Sequence, residues 1–144
     1  MSYFKQLFFV MLLSSCSFFA PAYVEEADTR ATEAYETLSN ILAKAELGEL
    51  SDPETFAASV DSYALIISKL ETAAFSVGGT PTEETSQPRD EAQSSLNAVI
   101  QSCLTLVKLF ASEHETDGIV VGSGTTQPVR ISCDQAVKAI RARR

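Results

Sequence analysis

The chain has 144 residues, of which 19 are acidic and 11 are basic, so its formal net charge is −8 and its sequence pI is about 4.6. This length corresponds to one ordinary domain with a single hydrophobic core. The acidic balance lacks the basic footprint of a nucleic-acid-binding protein and disfavours a general attraction to anionic lipid. Plain solubility explains the acidity, and attraction to a basic partner is the alternative.

The first residues have the pattern of a cleavable export signal. Lys5 supplies a positive start, residues 7–13 are apolar, and Ala20 to Ala22 form a small-residue cleavage site. Serines after the apolar stretch make it too short and too polar for a membrane span. We expect an export signal over residues 1–22 and one domain over 23–144, in a periplasmic or secreted protein.

Cys16 marks a second candidate processing site in the same signal. The tetrapeptide Leu13-Ser14-Ser15-Cys16 resembles the lipobox of bacterial lipoproteins, in which the cysteine becomes the lipidated first residue. The residues after it are more apolar than a typical lipoprotein tether, so we favour cleavage after Ala22. Membrane association is expected only if Cys16 is lipidated, because acyl chains would then anchor the protein.

Two cysteines remain after the signal, Cys103 and Cys133. Two cysteines in an exported domain indicate one disulfide, which would close a loop of about 30 residues and add ~3 kcal/mol of stability. The alternative is a pair of buried thiols that behave as small hydrophobic side chains. The C-x-x-C spacing of a thiol oxidoreductase is absent from the sequence.

Two amphipathic helices are predicted in the first half of the domain. Apolar residues recur every three or four positions from Asp28 to Leu47, which predicts the first helix. The second helix begins either with Asp52 as its N-cap or with a Ser51–Glu54 capping box, and Gly78-Gly79 terminates it. Its apolar stripe contains Phe56, Val60, Tyr63, Ile67, Leu70 and Ala74, widened by Ile66.

A third helix is predicted to be the most buried. It follows a polar, exposed loop over residues 80–88 and begins near Arg89 or Asp90. Its broad apolar face contains Ala92, Leu96, Val99, Ile100, Cys103, Leu104, Leu106, Val107 and Phe110. Residues 113–117 have the composition of a solvated helix end, where His114 would complement the helix dipole.

The pattern changes after the third helix. Residues 118–124 are β-branched and bounded by glycine, and residues 129–131 alternate, so either a short β-hairpin or an irregular segment is predicted. Residues 132–135 have the form of a capping box before a short last helix. The fold class is therefore all-α. We expect a small up-down bundle of about four helices, with an irregular or β-hairpin excursion before the last helix.

No residue pattern points to catalysis, so we expect a protein that is not an enzyme and holds no cofactor or metal. The acidic residues beside His114 have a metal-like composition, but consecutive helical residues diverge and the sequence has one histidine. Ser123 lies between glycines in neither a nucleophile elbow nor a Walker loop. Paired carboxylates could act as acid and base only if a cleft brought them together.

Two features are candidates for partner contact. The Gly- and Thr-rich segment Gly118–Pro128 is too long for a simple connector. Arg141, Arg143 and Arg144 either compensate the dipole of the last helix and pair with acidic helix faces, or dock onto an acidic partner or envelope phosphate. We predict a periplasmic or secreted protein that acts through protein–protein interaction, such as an inhibitor, immunity-type protein, adaptor or chaperone. The alternative is a lipid-anchored structural component of a bacterial envelope assembly.

Overall fold

The computed structural model describes residues 24–78 and 87–143, with side chains described from residue 91 in the second range. Within these ranges the chain forms α1 (Glu25–Glu46), α2 (Phe56–Gly78), α3 (Gln87–Thr116) and α4 (Thr126–Arg141). Each helix packs on its neighbours in the chain, and α4 closes the ring against α1. The predicted helical bundle is confirmed.

Some predictions fall on residues outside the described ranges. The export signal over residues 1–22, with Cys16 and the cleavage site at Ala22, lies there, as do Arg144 and most of the predicted loop over 80–88. The last two residues of that loop already belong to α3, which begins at Gln87.

Ion pairs between the first and last helices establish the direction in which they pack. Arg130, near the start of α4, donates to Glu46 at the end of α1 over 2.6 Å. Arg141, at the end of α4, donates to Asp28 near the start of α1 over 3.1 Å. Helix α4 therefore runs antiparallel to α1, as an up-down bundle requires.

The two connections over residues 47–55 and 117–125 consequently lie at one end of the bundle, which we call the loop end. They are bonded directly to each other, because the N–H of Ile119 donates to the carbonyl oxygen of Leu50 over 2.6 Å. The start of α1, the end of α2 and the start of α3 lie at the opposite end. This arrangement places the end of α3 beside the start of α2.

The chain enters α2 through an N-cap at Asp52, which was one of the two predicted alternatives. The side chain of Asp52 accepts a hydrogen bond from the N–H of Glu54 over 2.9 Å. A 3-10 turn over Pro53–Thr55 then leads into the helix. The capping box is wrong, since the hydroxyl of Ser51 donates instead to the carbonyl oxygen of Gly48.

Helix α3 is not the most buried helix, so that prediction is wrong: α1 buries 8 of its 22 residues, and α3 buries 8 of the 26 residues whose side chains the structure describes. The core stripe of α3 is also centred one position away from the predicted one. Ile100 and Val107 are fully buried, whereas Val99 and Leu106 are half-buried. The residues that share the buried stripe are Leu96, Ile100, Cys103, Val107, Phe110 and His114. They are spaced alternately four and three apart, so the stripe continues to the end of the helix. The predicted solvated end is therefore wrong for His114, which points inward.

The apolar stripe of α2 is displaced in a similar way. Ile66 is fully buried, Ile67 is half-buried, and Val60 is 44% exposed. The side chains that α2 places in the core are Tyr63, Ile66, Leu70, Ala73, Ala74 and Val77. The outer face of α2 consequently retains apolar side chains.

The largest correction concerns the last helix, which begins six residues before the predicted capping box. Residues 129–131 and 132–135 both lie inside α4, so neither a strand nor a cap forms there. Val129 and Cys133 are buried one turn apart, and this helical spacing outweighs the local alternation that suggested a strand. Residues 117–125 are irregular, which was the other predicted alternative.

Cys103 of α3 and Cys133 of α4 are paired as predicted. Their sulfur atoms lie 2.07 Å apart and their Cα atoms 4.7 Å apart, which is disulfide distance. Both residues are buried in the core. The pair ties the middle of α3 to the middle of α4.

Helix α3 also has the length and composition of a membrane span over Glu91–Thr116, with a mean hydropathy of 1.3 in its most apolar window. A core helix of a soluble bundle has the same properties. Here the helix packs against α2 and α4, and 39% of that window is buried in the structure.

Candidate functional site

His114, the only histidine in the sequence, is completely buried at the loop end. Its Nε2 atom lies 2.8 Å from Oγ1 of Thr55, and its Nδ1 atom lies 3.1 Å from the hydroxyl of Tyr63. The ring also packs edge-on against Phe56. A single side chain of α3 therefore connects the 3-10 turn and α2.

The hydrogen bonds around Thr55 define the tautomer of this histidine. The Thr55 hydroxyl donates to the carbonyl oxygen of Asp52 over 2.6 Å, so its oxygen accepts from the Nε2–H of His114. The Tyr63 hydroxyl then donates to Nδ1. Each donor in this series of hydrogen bonds has an acceptor only if the imidazole is neutral, because a proton on Nδ1 would leave the Tyr63 hydroxyl with no acceptor.

Burial favours the same neutral forms. It lowers the pKa of His114 below its ordinary value near 6.5, and it raises the pKa of the Tyr63 phenol well above its usual range. The interpretation of His114 as a cation that complements the helix dipole is therefore wrong. The ring is closed off from solvent, and its hydrogen bonds join the end of α3 to the start of α2 at the loop end.

We expect the free energy of unfolding to decrease as the pH falls below about 6.5. Unfolded histidine takes up a proton there, whereas buried His114 does so only at lower pH, so protons favour the unfolded chain. The slope for one proton is at most ~1.4 kcal/mol per pH unit. Urea unfolding between about pH 7.5 and 5.5 measures this effect.

The control for that pH dependence is His114→Gln, whose amide can still donate to Thr55 and accept from Tyr63. This variant should lose the decrease near pH 6, because no other histidine is present. A pH dependence equal to that of the wild type would show that His114 is not responsible.

The two connections at the loop end pass so close to each other that no side chain fits between them. Gly118 has a φ of +73°, and a Cβ atom added there would overlap the carbonyl oxygen of Ser51. Together with the bond between Ile119 and Leu50, this contact holds the two connections as one unit. The loop end is therefore pre-organised.

The structure describes every residue of these two loops, and three of their aliphatic side chains project into solvent. Leu47 is 77% exposed, Val120 is 62% exposed and Val121 is 56% exposed. We call them the loop-end patch. A Cβ atom on Gly48, next to Leu47, would lie 3.2 Å from Cγ2 of Val121, so the two loops meet beside these side chains. Contiguous apolar patches on a protein surface mark interaction sites, which makes these side chains candidates for partner contact.

A second apolar surface, the α3–α4 pocket, opens between the end of α3 and the start of α4. Its volume is about 180 Å³. It is lined by Leu106, Leu109, Phe110, Glu113, Thr125, Pro128 and Val129. Phe110 and Val129 are buried at its base, whereas Leu109 is 60% exposed. Thr125 and Pro128 belong to the segment that the sequence predicted as a partner contact.

The predicted cluster of arginines does not form a single surface in the part of the chain that the structure describes. Arg141 donates to Oδ1 of Asp28 and, over 2.9 Å, to the hydroxyl of Thr32. It therefore pairs with the acidic face of α1, which was one of the two predicted roles. Arg143 is half-buried beyond the end of α4, and Arg144 lies outside the described residues.

The acidic side chains of the described ranges are dispersed. No three histidine, cysteine, aspartate or glutamate residues among those the structure describes gather as metal ligands. Beside His114, Glu115 is exposed and Glu113 faces the α3–α4 pocket, so the three diverge as predicted. Glu33 pairs with Lys69 over 2.8 Å, and this hydrogen bond lowers the pKa of Glu33.

The chain matches no protein-family model, no curated protein and no solved structure.

Proposed function

We propose that the chain is an exported, non-enzymatic binding protein that acts through protein–protein interaction at its loop end. The observation that carries this proposal is the loop-end patch, in which Leu47, Val120 and Val121 are exposed on loops held by backbone contacts. Aliphatic side chains on a fixed backbone suit binding, because little conformational freedom is lost when a partner covers them.

Export is supported by two independent features. Residues 1–22 have the pattern of a cleavable signal, and disulfides such as that between Cys103 and Cys133 persist mainly in oxidising compartments. The alternative is a lipid-anchored structural component of an envelope assembly. Mass spectrometry of the exported protein distinguishes them, because the soluble form begins at Tyr23 and the anchored form at a diacylated Cys16.

The loop end is tested by capture of the partner from envelope extract. The combined substitutions Leu47→Gln, Val120→Thr and Val121→Thr should weaken capture about tenfold or more, since central apolar contacts contribute most of the binding energy. The melting temperature should change little, because all three side chains are exposed in the free protein.

Phe75 provides a matched control for this experiment. It is 86% exposed on α2, near the end of the bundle opposite the loops. Phe75→Ser removes an exposed apolar side chain of similar character and should leave capture unchanged. Equal capture by the loop-end variant and the wild type would contradict the proposal.

A further inference from the structure

We propose that the α3–α4 pocket binds one apolar side chain of the partner protein, and that Glu113 binds a lysine or arginine next to that side chain. This inference rests on the proposed binding function and specifies the chemistry of the partner. It predicts a partner segment in which a leucine- or phenylalanine-sized residue adjoins a basic residue.

The volume of the pocket fits a single side chain. About 180 Å³ is below the roughly 300–1,000 Å³ of small-molecule and cofactor sites. It is close to the ~150 Å³ of an apolar cavity that holds benzene in another protein. Leu106, Phe110 and Val129 supply apolar walls. A leucine or phenylalanine side chain would therefore fill the pocket.

Glu113 is the one charged group among the described residues that line the pocket. The cations nearest to it in sequence along the two walls bond elsewhere: Lys108 donates to Glu71 over 2.9 Å, and Arg130 donates to Glu46 over 2.6 Å. Neither neutralises the Glu113 carboxylate. Among the residues whose side chains the structure describes, no cation forms an ion pair with Glu113. On a chain with a net charge of −8, such a carboxylate beside an apolar pocket favours a basic partner.

The walls of the pocket are held at a fixed spacing before any partner binds. Cys103 precedes Leu106 by about one turn of α3, and Cys133 follows Val129 by about one turn of α4. The disulfide between them ties the two helices next to the pocket. A pocket that is already formed avoids the cost of ordering its walls on binding.

The pocket is also continuous along the chain with the loop-end patch. The connection over residues 117–125 contributes Val120 and Val121 to the patch and Thr125 to the pocket. One partner segment can therefore cover the patch while it inserts a side chain between α3 and α4. This continuity favours the partner protein as the occupant over a second copy of the chain, which would carry the same excess negative charge.

Methyl NMR of the oxidised, exported protein tests the inference with two dipeptides as probes. N-acetyl-Phe-Arg-amide should shift the methyl resonances of Leu106, Leu109 and Val129, and it should bind about threefold more tightly than N-acetyl-Phe-Glu-amide. N-acetyl-Gly-Arg-amide should leave these resonances unchanged. Absence of shifts with the Phe-Arg probe, or equal affinity for the Arg and Glu probes, would overturn the inference.

Two substitutions separate the apolar and the charged contributions. Glu113→Gln should remove the preference for the Arg probe and retain binding of the Phe side chain, whereas Glu115→Gln, on an exposed neighbour, should change neither. Leu109→Ala should weaken both Phe probes. Pocket shifts that grow with protein concentration alone would show that a second copy is the occupant, and would overturn the inference.

The capture experiment separates this inference from the proposed function. Loss of capture in the loop-end variant but full capture by Glu113→Gln and Leu109→Ala would overturn the pocket assignment and leave the binding function in place. Loss of capture in all of them supports both. Full capture by all of the variants would overturn both.

Discussion

Removal of the Cys103–Cys133 bond is expected to lower the free energy of unfolding by about 3 kcal/mol, because it frees a loop whose ends are 30 residues apart. A domain of this size has a total stability of roughly 5–15 kcal/mol, so the bond supplies a large share. The melting temperature should fall by about 10–15 °C. The measurement is thermal unfolding of Cys103→Ala/Cys133→Ala beside the oxidised wild type.

The reductant supplies the control for this prediction. Both cysteines are buried in the core, so reduction requires at least a local opening of α3 and α4 and should be slow in the folded protein. Once reduced, the wild type should melt close to the double variant, and the double variant should not respond to reductant. A melting temperature that is the same with and without the bond would contradict the prediction.

Gly118→Ala is expected to cost about 3 kcal/mol. A left-handed backbone is unfavourable for alanine by ~1–2 kcal/mol, and Gly118 has a φ of +73°. The added Cβ would also overlap the backbone of Ser51, so the loops must move apart, at a further ~1–3 kcal/mol. Urea unfolding measures the change in free energy.

Gly122 provides the matched control for this steric contact. Its φ is +79°, but a Cβ atom added there meets nothing within 4 Å. Gly122→Ala should therefore cost only the backbone contribution of about 1 kcal/mol. Equal costs for the two substitutions would mean that the contact with Ser51 is unimportant. The difference between them also isolates the coupling of the two loops, so Gly118→Ala should weaken partner capture more than Gly122→Ala does.

The fold could be predicted because the information that defines it is local and periodic. The N-cap at Asp52 and the cysteine pair were each one of two alternatives that residue type and spacing allowed. Residues 129–131 were harder, because a three-residue alternation fits a strand as well as a helix. Only the burial of Val129 one turn before Cys133 decides between them.

The burial of His114 could have been predicted from the sequence. It follows Phe110 by four residues and continues the spacing of Ile100, Cys103 and Val107, so the core stripe already includes it. Its polar neighbours in the sequence suggested a solvated helix end instead, and so its position on the buried face of the helix was missed. Its partners Thr55 and Tyr63 could not have been identified, since they lie 59 and 51 residues away in the chain.

The candidate binding surfaces depend on tertiary structure and were only partly predictable. The segment Gly118–Pro128 was identified from its length and composition. The contribution of Leu47 was not, because the sequence places this residue at the end of α1 without showing which way that end faces. The α3–α4 pocket depends on how two helices diverge, which no single helix pattern encodes.

The antiparallel packing of α1 has a consequence for orientation. Its 22 residues separate the start of the helix from the loop end by about 33 Å. If Cys16 is lipidated, the acyl chains are joined to the bundle through the start of α1, because only eight positions separate Cys16 from Val24. Leu47, Val120 and Val121 then lie at the far end of α1 from the point of attachment, so an anchored protein and a released one can present the same surface to a partner.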